Sequence, residues 1–130
     1  MPEPDSTPTY HRIDPSTLPP TPEYPCDRRS VSDAAGLGTL AAAVYELEPG
    51  EQLPRSYHYH ELREELFYVR KGSLRVETPE RELEVATDEL FVAHPNSPHR
   101  PYNPESAEES AVVLGVGAPK SDIAHPYEPE

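Results

Sequence analysis

Two imidazoles stand two positions apart in His58-Tyr59-His60, and a carboxylate follows at Glu65. In an extended chain, residues i and i+2 project from one face, so His58 and His60 point together while Tyr57 and Tyr59 point away. The residues Glu61 to Glu64 suffice to turn a corner before Glu65 opens the run ELFYV, whose one face carries Glu65, Phe67 and Val69. Brought together across a hairpin, the two imidazoles and the carboxylate make a divalent-metal site. Farther along, His99 follows the turn Pro95-Asn96-Ser97-Pro98 and is placed to close the set from another strand. Three imidazoles and one carboxylate suit iron, manganese, nickel, zinc, cobalt or copper better than a thiolate-seeking ion. Any one of these histidines alone reads more simply as solvated or bonded to backbone in a core. The spaced set points to a metal.

Other reactive side chains offer less. Cys26 lies in a proline-rich stretch with no histidine near it in sequence, so it reads as a passive thiol. Ser56 and Ser97 lack the sharp strand-to-helix turn of an activated nucleophile. Gly36, Gly38, Gly115 and Gly117 form G-x-G pairs without a phosphate-loop pattern, which leaves turn and strand-packing roles. His94 reads as a turn-adjacent structural residue in preference to a pocket group behind the metal ligands, and His11 and His125 as solvated. By alternation, Arg55, Tyr57, Tyr59, Arg100 and Tyr102 belong to the outer sheet or to a subunit contact, not to the pocket. Glu61 and Glu64 sit in the hairpin loop, so no catalytic acid or base is assigned.

The elements that must position these groups are short strands. The runs GTLAAAVYELEPG, RSYHYH, EELFYVRKG, SLRVETPE, RELEVATDE, LFVAHP, HRPYN and SAVVLGVG are each bounded by Gly, Pro, Asp or Asn. Helix formers occur in GTLAAAVYEL and residues 61 to 66 could make one helical turn, but neither combines a cap with an apolar stripe. About eight strands without a long helix predict an all-β, closed antiparallel structure. Residues 1–30 read as a proline-rich extended arm, 31–118 as the barrel and 119–130 as a C-terminal tail. Phe67, Val69, Val76, Leu90 and Val92 are the candidates for apolar lining or core.

These residues resemble the cupin superfamily. Its first motif runs glycine, His-x-His, glutamate, glycine, and is similar to PGEQLPRSYHYHELREELFYVRKG, with Gly50, His58, His60, Glu65 and Gly72. The interval to Gly72 selects Glu65 over Glu64. The second motif resembles DELFVAHPNSPHRPYN, with His99 and Asn103. Here Asp88 and Asn96 stand where the family has glycine, and His94 where it has proline; asparagine tolerates positive φ, so the turn survives. The resemblance covers roughly residues 36 to 118. It implies a double-stranded β-helix, or jelly-roll, barrel holding a metal through His58, His60, Glu65 and His99, and it implies a homodimer.

Composition narrows the function classes. With 130 residues the chain suits one domain. One cysteine excludes a disulfide framework within the chain. A net charge of −13, from 24 acidic against 11 basic residues, argues against binding nucleic acid. The basic residues are arginine apart from Lys71 and Lys120, and acidic, lysine-poor chains resemble those of halophilic organisms. No apolar run is long enough to span a membrane, and no signal peptide is apparent, so the expected location is cytoplasmic. Two functions remain open. One is a metal-dependent enzyme of dioxygenase, isomerase or decarboxylase type acting on a small polar molecule. The other is a non-catalytic protein that binds or senses a metal or small ligand.

Overall fold

The computed structural model describes residues 8–129. In chain order the strands are β1 (Asp27–Ser30), β2 (Ala41–Leu47), β3 (His58–Tyr59), β4 (Glu64–Lys71), β5 (Leu74–Glu77), β6 (Glu82–Val85), β7 (Leu90–Ala93), β8 (Arg100–Tyr102), β9 (Ala111–Ala118) and β10 (His125–Pro126). One sheet has the order β1-β2-β9-β4-β7, a second β6-β5-β8, and β3 pairs with β10. All named pairings are antiparallel. An isolated bridge between His58 and His99 links β3 to the start of β8.

Alternation explains the layering. Along β9 every second residue is buried, and Val113 is fully so; on β4, Phe67 and Val69 turn inward. They meet Leu74, Val76 and Val85 of the second sheet, with Leu47, Leu53 and Phe91, in one apolar cluster. Each fully buried Val or Leu contributes roughly 1.5–3 kcal/mol relative to exposure. Three of the five residues expected to be inward, Phe67, Val69 and Val76, are so. Leu90 and Val92 correct that expectation, being 56% and 54% exposed. They face outward because Phe91 and Ala93, which alternate with them, take the inner face of β7.

The turns tolerate the replaced glycines. Asn96 adopts φ +64° and Asp88 φ +70°. The Asp88 carboxylate accepts a 2.6 Å hydrogen bond from the Tyr68 hydroxyl. Gly72 at the β4–β5 turn has φ +72°, and a Cβ there would lie 2.6 Å from the Ser110 carbonyl oxygen.

Short ordered elements occur within the terminal segments. Residues 1–7 of the proline-rich stretch, and residue 130, lie outside the described residues. Pro15–Thr17 form a single 3-10 turn capped by Asp14, Pro20 bridges to Arg29, and the proline-free DRRS segment pairs as β1 along β2. A short helix, α1 (Val31–Ala35), follows; Ser30 caps it by accepting from the Asp33 amide, and Gly36 ends it in the left-handed region. No helical turn forms at 61–66, where the chain bends into β4. No helix among the described residues is long and apolar enough to cross a membrane.

Candidate metal centre

The backbone builds the site before any side chain does. His58 and His99 form a bridge in which the His99 amide donates to the His58 carbonyl at 2.9 Å and the His58 amide to the His99 carbonyl at 3.4 Å. Residues so paired present their side chains to the same face, and the two imidazole centres are 5.0 Å apart. The His60 carbonyl accepts from the Asn96 amide at 2.6 Å, which ties the second-motif turn to β3. Glu65 enters from β4, directly across from Gly117 of β9. A Cβ on Gly117 would stand 2.9 Å from Arg63 Cδ and 3.1 Å from Glu65 Cγ, so the bare glycine leaves room for the carboxylate.

His58, Glu65 and His99 each offer a ligand atom within 4.8 Å of the others. His60 flanks them, its Nε2 3.8 Å from Glu65 Oε2 and its ring 5.1 Å from that of His58. Glu65 Oε1 lies 3.0 Å from His99 Nε2. All three imidazoles are buried.

Each ring is held by a backbone carbonyl. His58 Nδ1 lies 2.8 Å from the Ser56 oxygen, His60 Nδ1 3.0 Å from that of Ile123, and His99 Nδ1 2.7 Å from that of Ser97. A carbonyl oxygen only accepts, so in each case Nδ1 carries the proton and donates. In the neutral ring this leaves the lone pair on Nε2. Then His99 Nε2 and Glu65 Oε1 face one another as two acceptors, and a cation must lie between them, a second proton or a metal ion. The donor set therefore fits a divalent ion.

The electrostatics agree. Burial lowers the His58 pKa from its ordinary value, reinforced by the neighbouring His99 and His60 and only partly opposed by the Ser56 carbonyl and Glu65. Burial also lowers that of His60, with help from the Arg63 charge. Burial pushes the Glu65 carboxyl upward, but the His99 hydrogen bond and charge, with His60 and His58, outweigh it and hold the group below its usual range. Two neutral rings beside an ionised carboxylate are the forms in which these groups bind a metal.

The site opens into a cavity of about 370 Å³. Its wall includes side chains that strand alternation missed: Arg28 and Tyr24 from the N-terminal segment, Arg55, Arg63 and Asp122. Arg55 was expected on the outer surface, but residues 54–57 form bends rather than strand, so alternation does not reach it. Asp122 accepts from the Leu62 amide at 2.8 Å and the Arg63 amide at 3.0 Å, closing the corner before Glu65. The Arg63 guanidinium donates to the carbonyls of Pro119, Lys120 and Asp122 and reaches to 3.5 Å from Glu65 Oε2. His125, expected in solvent, lies 3.1 Å from Glu61 and stacks on Tyr59. His94 is exposed beside the turn. Cys26 is buried in the apolar cluster.

A family model described as "Cupin domain" matches residues 43–117. No curated protein matches the chain. The structure is similar to a cupin-superfamily sugar phosphate isomerase from Silicibacter pomeroyi, with TM-score 0.67 and 24% identity over 78% of this chain and 66% of that one. It is also similar to the polyketide cyclase RemF from Streptomyces resistomycificus, with TM-score 0.75 and 19% identity over 94% of this chain and 88% of that one. KdgF from a Halomonas species aligns with TM-score 0.70 and 19% identity over 86% of this chain and 96% of its own. The chain spans just under two thirds of the Silicibacter protein's length. At these identities the likeness shows the fold, a double-stranded β-helix barrel.

Proposed function

The chain belongs to the cupin family, and we propose that it binds a divalent transition metal through His58, His60, Glu65 and His99 and acts on a small polar molecule. The observation that carries this reading is the tethering of all three Nδ1 atoms to backbone carbonyls, which leaves three Nε2 lone pairs for one ion. Iron, manganese, nickel, zinc, cobalt and copper all accept such donors. Bound there, an ion supplies Lewis acidity toward a substrate oxygen. The chain itself holds the rings in one tautomer, keeps Glu65 ionised and walls the cavity with Leu53, Phe67 and Pro101. The reactions in view are of isomerase, dioxygenase or decarboxylase type, and similarity to proteins described as a sugar phosphate isomerase and a polyketide cyclase supports an enzyme.

A second reading, a non-catalytic metal- or ligand-binding or sensing protein, is favoured by Asp122. Apart from Glu65 it is the carboxylate in the cavity wall, and two backbone amides engage its Oδ2, so it serves to hold the corner before Glu65. Metal analysis of untagged protein, followed by turnover assays with Fe(II), Mn(II), Ni(II) and Zn(II) on sugars, catechols and keto acids, separates the two. Turnover supports the enzyme; metal without turnover across that panel supports the binding protein; absence of metal overturns the metal site in both readings.

A homodimer belongs to the same proposal. Leu66 and Val92 are cross-strand partners on the outer face, as are Tyr68 with Leu90 and with Leu114. Leu66, Leu90, Val92 and Leu114 are all exposed there, an apolar patch at the β7 edge suited to a second copy. The excess of acid further supports a halophilic habit, so thermal stability is expected to rise from low to molar salt.

A further inference from the structure

We propose that Arg28 and Arg55 form an anion-recognition subsite in the outer wall of the metal-site cavity, selecting small molecules that carry a carboxylate or phosphate group. The proposal rests on the small-molecule reading above and names the class of molecule. Both arginines line the cavity that contains His58, His60 and Glu65. Both lie against one aromatic ring, with the guanidinium carbon of Arg55 4.7 Å and that of Arg28 5.4 Å from the centre of Tyr24. Arg28 also lies 5.9 Å from the Tyr45 ring centre. The rings fix the two groups without neutralising them, since a ring face attracts a cation but carries no net charge.

Their donors are only partly used. Arg28 donates from Nε to the Tyr45 hydroxyl at 3.4 Å and from Nη1 to Thr21 Oγ1 at 3.0 Å. Arg55 donates from Nη1 to the Glu23 carbonyl at 2.9 Å. Every one of these acceptors is neutral. Among the described residues neither arginine makes an ion pair, whereas Arg29, Arg63, Arg75 and Arg100 each face a carboxylate. In a chain with 24 acidic residues, two cations that line one cavity and pair with no carboxylate stand out against the protein's charge. A cation that no carboxylate neutralises attracts an oxyanion. A guanidinium offers a planar fork of N–H groups matched to carboxylate or phosphate oxygens. Exposure falls from Arg55, which is exposed, through half-buried Arg28 to the buried imidazoles. A ligand with its anionic end at the arginines thus extends its other end toward the metal centre.

Calorimetric titration of the purified protein with malonate, with inorganic phosphate and with neutral glycerol tests this, using the parent, Arg55→Gln and Arg28→Gln. Arg55 is exposed and makes one hydrogen bond, so its variant stays interpretable if Arg28→Gln fails to fold. Malonate, phosphate or both should bind the parent and weaken about tenfold in each folded variant, glycerol should not bind, and metal content should not change. Preference between the two anions identifies which oxyanion the subsite takes. Failure of both anions to bind, or equal binding in Arg55→Gln, overturns the proposal. If the parent holds no metal yet binds an anion through the arginines, the metal reading fails and this one stands.

Discussion

His60 and Ile123 are joined across 63 residues by a 3.0 Å hydrogen bond from the imidazole Nδ1 to the backbone carbonyl. The C-terminal segment thereby sets the tautomer of a proposed metal ligand. Other bonds hold it beside β3: β10 pairs with His58 and Tyr59, the Tyr127 amide donates to the Tyr57 carbonyl, and the two tyrosine rings lie 5.0 Å apart. Removing residues 119–130 should therefore lower metal affinity about 10- to 100-fold, the usual effect of losing a partner that orients a ligand. Titration with zinc in competition with a chelator measures it, and unchanged affinity would show that the tether is dispensable.

Replacing the donors should empty the centre while the barrel persists. His58→Ala, His60→Ala and His99→Ala should each lose most bound metal while far-ultraviolet circular dichroism stays that of the parent. Equal metal loading in His60→Ala and parent would remove His60 from the ligand set and leave the tighter group of His58, Glu65 and His99.

Gly117→Ala tests the space reserved for Glu65. The added methyl meets Arg63 Cδ at 2.9 Å, the Glu64 carbonyl at 3.1 Å and Glu65 Cγ at 3.1 Å. Overpacking of this kind costs about 1–3 kcal/mol. A lower denaturant midpoint together with reduced metal content is expected; reduced stability with full metal loading would show that Glu65 accommodates the methyl without moving.

Alkaline pH should destabilise the fold through its buried acids. Burial pushes the Cys26 thiol up from 9.0 to about 12, aided by Glu51 and Asp27 and opposed by Arg28. Burial likewise raises the Tyr24 and Tyr45 hydroxyls. Their folded values exceed their unfolded ones, so the unfolded chain loses protons first as pH rises. Their contribution is thus full below about pH 8.5 and declines from there toward the folded values. Thermal midpoints should fall from pH 8 to 10.5, and the onset should move upward in Cys26→Ala. In the native protein at pH 8 the thiol should react with a disulfide reagent only on unfolding; prompt reaction would contradict its burial.

The outer face of β7 is expected to carry self-association. Val92→Asp and Leu90→Asp place a charge on the apolar patch and should shift sedimentation toward monomer without changing metal content. A parent that sediments as monomer at working concentration would exclude the dimer.

The metal-type donors were legible because alternation along a strand is a local property: His58 and His60 share a face wherever the strand goes, and Glu65 and His99 were identifiable from their motifs. The strand runs were legible for the same reason: β2 to β8 formed within them, and β9 runs one residue past its own. Leu90 and Val92 were not assigned correctly, because alternation says which residues share a face but not which face is inside. That choice was made by the partners of Phe91 and Ala93. Arg28, Arg55, Asp122 and the Ile123 carbonyl left no periodic signal, since each reaches the site from a bend or terminal segment through long-range contacts. Local chemistry thus announced what the centre could hold. Chain-long packing alone settled which carbonyls orient the imidazoles and which cations border the cavity, because those neighbours are distant in sequence and meet only when the sheets close.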